Sequence, residues 1–303
     1  MDKSGRQLLA WIKSGRGQGH GSNYQSWLRI TRRGQPSGGN LSKPYLPVLG
    51  RSANFLSGNE ANLATWLLWL GVSDLREQFP LWPHAHVHPV YGHPLANHHA
   101  LPWSRGTLEI ARNLGIRHGT FVGTRIPYVA TTDFMLTIID RGAARLIAVA
   151  AKPAGIVNGT VKVSLRAKER LLLEKEYSRE LGIPWQVMSD EKISPALREN
   201  LEFSLKASKL PDAISGTLLR DFCGQLVDRL RHGETIEAAR SKAKQACSLA
   251  ATTADGLFYY GLWTRAIPID LREKLVMSRP AKLTDFSWAH REAAHLFGGQ
   301  DHE

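Results

Sequence analysis

Residues 126 to 190 limit the fold more than any other stretch of the chain. "FMLTIID" and "RLIAVAAK" are apolar strands joined by a short turn around Asp140 to Ala143. "SLRAKERLLLEKEYSREL" follows as a helix closed by Gly182, and "PWQVMSD" reads as a further strand. A strand, a helix and a strand in that order imply a right-handed crossover and a parallel pair. The predicted class is therefore α/β, with a mixed sheet flanked by helices.

That unit is too small to account for 303 residues, 43% of them apolar, so two domains are expected. The character changes at Ser194, where Ser-Pro supplies an N-cap and a first helical residue. Helices are predicted at about 194 to 207, 211 to 231 and 234 to 251. "LFYYGLW" and "RAIPIDL" then read as short extended pieces before a polar tail, which suits a mainly α, winged-helix-like domain. The expected division is 1–193 and 194–303, with no internal repeat.

Charge is distributed as unevenly as structure. The net charge is +12. Residues 194 to 303 hold 15 Lys and Arg against 14 Asp and Glu, so the basic excess belongs to the first 193 residues. Residues 1 to 51 carry nine basic side chains and one acid, Asp2, interleaved with Trp11, Tyr24, Trp27 and Tyr45. Such an arm is either a solvated, partly flexible segment or a surface for nucleic acid, in which case Arg16, Arg29, Arg32 and Arg33 are the expected contacts to DNA phosphates. Two cysteines, Cys223 and Cys247, make neither a disulfide framework nor a zinc pattern, so a reducing cytoplasm is the expected setting. "TWLLWLGV" is too short to cross a bilayer, and no membrane association is expected.

Several segments around this frame have more than one reading. Residues 4 to 14 suit a short helix capped by Ser4. "GRGQGHG" is either a connector or a loop whose N–H groups approach a ligand; without a preceding strand or GK[ST] it is no nucleotide P-loop. "RRGQPSGGNLSKP" is a basic loop. Residues 57 to 70 form a helix capped by Ser57 and stopped by Gly71, and "DLREQFPL" alternates as a strand would. Residues 82 to 104 hold His84, His86, His88, His93, His98 and His99 among prolines. Without a cysteine or acid in the tract, an extended surface insertion is expected rather than a zinc site.

One pairing carries chemistry. A turn centred between Gly142 and Ala143 would set Asp133 directly opposite Lys152 on adjacent strands. Both strands are apolar apart from these ends, where a charge needs a reason. Phosphodiester hydrolysis calls for an ion held by carboxylates and a lysine to orient water or offset developing charge. Glu60 is the second acid considered, although Ser57-Gly58-Asn59-Glu60 also fits an S-x-x-E capping box. Spacing does not choose between these roles.

"IKSGRGQGHGSNYQSWL", "LREQFPL", "TTDF", "AAKPA", "IPWQVMSDEKISPALREN" and "TADG" occur in the order found in the TnsA family, the endonuclease subunits of heteromeric cut-and-paste transposases. The chain resembles that family over most of its length, densely to about residue 205, more thinly beyond, and not across the histidine tract. The resemblance implies a restriction-endonuclease-like first domain and a winged-helix-like second. It also implies cleavage of double-stranded DNA at the 5′ ends of a transposon, with a TnsB-like DDE transposase and a TnsC-like AAA+ ATPase as partners. It places the catalytic residues at Glu60, Asp133 and Lys152, with Glu60 and Asp133 holding magnesium, or manganese in its place.

Ala150 departs from the pattern. Related nucleases carry an acid there, and well-known family members a glutamine; here the face shared by residues 150 and 152 offers a methyl group before the lysine. A backbone carbonyl such as that of Ala151, with waters, could fill the gap, or a carboxylate on the following helix. Helical phase favours Glu169 and Glu176, whereas the resemblance in "LLLEKEY" favours Glu174. The opposing reading is a non-catalytic DNA-binding or adaptor subunit that lost cleavage through Ala150.

Overall fold

The computed structural model describes residues 3–30 and 40–298. Two compact units divide them: one comprises the described residues up to Tyr45 together with Arg51–Ala64 and Val72–Asp190, the other Leu46–Gly50, Thr65–Gly71 and the chain from Glu191.

The first unit is built on a four-stranded sheet of β1 (Asp74–Leu81), β2 (Ala130–Asp140), β3 (Ala143–Ala151) and β4 (Trp185–Met188), in that spatial order. β1, β2 and β3 are antiparallel neighbours, and β4 is parallel to β3. The parallel pair follows from the crossover through α4 (Leu165–Glu180), which Ser164 caps by accepting the Ala167 N–H and which Gly182 ends at φ +65°. α1 (Lys3–Lys13), the start of α2 (Gly58–Trp69) and α3 (Thr107–Asn113) also belong here. Ser4 therefore lies inside α1 rather than before it.

The hairpin register differs from the expected one by two residues. Asp140 pairs with Ala143, leaving Arg141 and Gly142 as the turn, both at positive φ, the geometry that matches strand twist. Carried one step beyond Phe134 opposite Val149, the register sets Asp133 opposite Ala150, not Lys152. A shift of two keeps every side chain on its expected face.

β1 does not alternate: all eight of its residues are buried, Arg76, Glu77 and Gln78 included. The glycine run explains part of this cover. Gly17 sits so close that a Cβ would stand 2.3 Å from Pro80 Cγ, and the Gly21 N–H donates to Asp74 Oδ2 at 2.8 Å. The run is a packed turn whose Gly17 N–H is likewise taken, by the Gln25 carbonyl at 2.6 Å.

The histidine tract is not a plain surface loop either. His88 is buried against the Leu181 carbonyl, and His86 stacks on Tyr177 of α4 with 5.7 Å between ring centres while hydrogen-bonding its hydroxyl at 2.8 Å. Val90 joins Phe79, Met135, Ala148, Leu173 and Tyr177 in the core. Burial lowers the pKa of His86 and His88, which favours neutral rings. Among the described residues no three His, Cys, Asp or Glu side chains are placed to hold a metal ion together.

The second unit carries α5 (Pro195–Leu205), α6 (Gly216–Arg231), α7 (Ile236–Ala246), α8 (Ala251–Trp263) and α9 (Ser287–Phe297). Ser194 caps α5 and Pro195 begins it, as Ser-Pro predicts. "LFYYGLW" is helical within α8, where Leu257, Phe258 and Leu262 are buried, and not extended. Among the described residues from Glu191 onward, extended pairing is limited to isolated bridges such as Ile269 with Leu283. The expected polar tail contains α9, because Ala289 and Leu296 bury one face of it. No described helix is long and apolar enough to cross a membrane.

Candidate active site

Three elements bring charged side chains to the end of β2. Asp133 lies near the start of that strand, and Lys152 immediately follows β3. Lys152 Nζ donates to Asp133 Oδ2 at 2.6 Å and to the Ala151 carbonyl at 3.0 Å. The Ala151 N–H donates to the same carboxylate oxygen at 2.8 Å. The contact is therefore diagonal, which a lysine is long enough to make.

Glu60 arrives from the first turn of α2. Ser57 Oγ accepts the Glu60 N–H at 3.2 Å, half of the expected capping box. The Glu60 carboxylate accepts the Leu56 N–H at 2.9 Å and the Ser57 hydroxyl at 3.2 Å. It also accepts the Gln78 amide at 3.0 Å. Capping and site thus share one side chain. Burial, then the charge of Asp133, raises its pKa to about 7.

Of the four glutamates on α4, only Glu174 turns to this site, and Glu180 pairs with Arg105 at 2.8 Å. Glu169 pairs with Arg166 at 3.1 Å and Glu176 with Arg179. Glu174 is 5% exposed, and its Oε2 is buried without a hydrogen-bond partner. Burial and then Asp133 push its pKa up to about 8, with Lys152 and Arg170 acting the other way. Helical phase misplaced it because the buried stripe of α4 is Leu173, Glu174, Tyr177 and Ser178, not the leucines before them.

These observations test whether a divalent cation suits the residues present. Two buried carboxylates near Asp133 have raised pKa values, and one has an orphaned oxygen. A cation would offset that crowding and take the oxygen. The residues fit such an ion: Glu60 and Asp133 would hold it, and Glu174 lies close enough to feel Asp133. Ala150 is fully buried and adds nothing polar.

Gln78 is the site residue the sequence did not reveal. An amide inside "DLREQFPL" gives no signal by composition, and the residue emerges only through its contact with Glu60.

The arm residues divide. Arg16 stacks over the Trp11 ring at 4.5 Å, and burial followed by the charge of Arg29 lowers its pKa, so the two share one basic patch. Arg29 is hydrogen-bonded to Gln25. Arg32 and Arg33 lie outside the described residues.

A mixed sheet with an acid and a lysine at one hairpin edge, met by a glutamate from a helix, fits a restriction-endonuclease-like domain. Residues 72–190 match the family model "TnsA-like endonuclease N terminal". The chain is also 32% identical over 207 residues to the transposon Tn7 transposition protein TnsA of Escherichia coli. That stretch is 67% of this chain and 64% of the relative, a little under two thirds of the relative's length. Residues 72–190 are thus TnsA-like in sequence, and Asp133, Lys152 and Glu174 all lie within them.

Proposed function

We propose that this protein is a metal-dependent DNA endonuclease subunit of a transposase, hydrolysing the phosphodiester at the 5′ ends of the transposon. The observation that carries the reading is Lys152 held on Asp133 at 2.6 Å, with Glu60 nearby, its pKa raised by burial and then by the same aspartate. Glu60 and Asp133 hold magnesium, with manganese as the substitute. When bound, the ion stabilises charge on the phosphate and activates a water nucleophile. Lys152 orients that water and offsets negative charge as the bond to the leaving oxygen breaks. The Ala151 N–H and Lys152 together fix the Asp133 carboxylate before substrate arrives.

Arg16 and Arg29, with Arg32 and Arg33, contact DNA phosphates. Residues 1–193 act as the catalytic module. Residues 194–303, whose helices and bridged segment suit a winged-helix-like module, act beside it. A TnsB-like DDE transposase makes the 3′ cuts and joins, and a TnsC-like AAA+ ATPase regulates both. The resemblance supports these partners and, with them, a location in the bacterial cytoplasm, on the nucleoid when DNA is bound.

Ala150 favours a second reading, an adaptor with a degenerate site. The test is 5′-end cleavage in a reconstituted system holding both partners. Wild-type cutting that Asp133→Ala abolishes supports the nuclease. Strand transfer that proceeds with 3′ cuts alone, the 5′ strands staying joined to the donor in wild type and variant alike, supports the adaptor.

A further inference from the structure

Gln78 occupies a conformation that its position does not explain. It stands at φ +49° in the middle of β1 and is 1% exposed. A side chain held in that region costs about 1–3 kcal/mol, and glycine would avoid the cost. Its carbonyl has left the ladder and accepts the Trp27 N–H at 3.3 Å. What glutamine adds there is its amide. Nε2 donates to Glu60 Oε2 at 3.0 Å, and Oε1 accepts the Thr131 hydroxyl at 3.4 Å.

The register gives the position a meaning. Glu77 faces Phe134 and Phe79 faces Thr132, so Gln78 lies opposite Asp133 on β2. On its other side Asp133 lies opposite Ala150. The row across three strands therefore reads Gln78, Asp133, Ala150. The polar side chain absent from one flank of Asp133 is present on the other. Among the described residues no three His, Cys, Asp or Glu side chains can hold an ion together, so acids alone leave the site incomplete.

We propose that Gln78 is an oxygen ligand of the divalent cation held by Glu60 and Asp133, filling the role that Ala150 cannot. This rests on the metal-dependent nuclease reading. Turning the amide over brings Oε1 to the side now facing Glu60. Nε2 then donates to Thr131 Oγ1, because a hydroxyl both donates and accepts. Both ends of the amide are satisfied with and without the ion. A neutral donor also avoids adding a further negative charge beside Glu60, Asp133 and Glu174.

The test is Mn²⁺ binding to the full-length protein, followed by the electron paramagnetic resonance signal of the free ion, with circular dichroism to confirm folding. Gln78→Met keeps the shape and removes the oxygen; its affinity should fall about tenfold or more. Gln78→Glu keeps an oxygen and loses the N–H groups, and should bind at least as tightly as wild type. If the amide served only to hold Glu60 through its N–H, Gln78→Glu would set two carboxylates together and weaken binding, which overturns the proposal. So does a folded Gln78→Met with wild-type affinity while Asp133→Ala has lost binding. Absence of Mn²⁺ binding by the wild type would overturn the metal-dependent reading as well.

Discussion

Lys152 meets Asp133 on the diagonal: the residue directly across from Asp133 is Ala150, and Nζ spans the offset to reach Oδ2 at 2.6 Å. The lysine also donates to the Ala151 carbonyl at 3.0 Å, so its head is fixed at two points. On the proposed nuclease reading this group serves catalysis more than folding. Lys152→Ala should lower 5′-end cleavage by about 100-fold or more while the melting temperature stays near wild type. Single-turnover cleavage and a thermal melt on the same preparation check both halves.

The raised acids make folding stability depend on pH in a defined direction. Glu60 and Glu174 have folded values of about 7 and about 8, above the unfolded glutamate. Their contribution is fully present where both states are protonated, below about pH 4, and is lost as pH rises through the folded values. Urea unfolding in chelator should show wild type losing stability between about pH 5 and pH 8.5 relative to a Glu60→Gln/Glu174→Gln double variant. Parallel curves for the two proteins would refute the burial of these acids as ionisable groups.

Cation addition should reverse that loss. An ion binding only the folded site stabilises it by mass action and needs ionised ligands, so the gain grows with pH. Magnesium or manganese should raise the melting temperature more at about pH 8 than at about pH 6. Asp133→Ala should abolish the shift at both.

Arg16 and Arg29 form a patch on the first unit, and DNA binding through them should depend steeply on salt. Replacing both with alanine should reduce the slope of log K against log salt by roughly 0.9 for each phosphate that is no longer neutralised. Fluorescence anisotropy with transposon-end duplex across a salt series measures this, and an unchanged slope would place the DNA elsewhere.

Gly17 is pinned by geometry rather than by any need for mobility. At φ +73°, with Pro80 Cγ 2.3 Å from where a Cβ would stand, Gly17→Ala should destabilise the protein by about 2 kcal/mol or more. Chemical denaturation reads the difference directly.

The sheet was legible because its information is local: two apolar runs, a short turn, a capped helix and a final strand order themselves. The parity of the hairpin was legible too, but not its register, since Arg141 at positive φ could not be foreseen beside Gly142. Hence Lys152 was paired with Asp133 correctly and across the wrong position. Glu174 and Gln78 were harder. Glu174 depends on which stripe of α4 the sheet covers, a tertiary choice set by Leu173 and Tyr177. Gln78 depends on a backbone angle that glutamine disfavours. "LFYYGLW" misled because its aromatic residues favour strands in isolation, whereas Phe258 and Leu262 pack one helical turn apart.

His86 lies flat against Tyr177, three residues beyond Glu174 on the same helix. The histidine tract is therefore a brace for the element that carries a buried acid. Side-chain changes at exposed Tyr91 and Leu95, which are held through their carbonyls by His20 and Ala144, should matter less than a change at His86, which bears directly on Tyr177. The tract thereby backs the helix that carries Glu174.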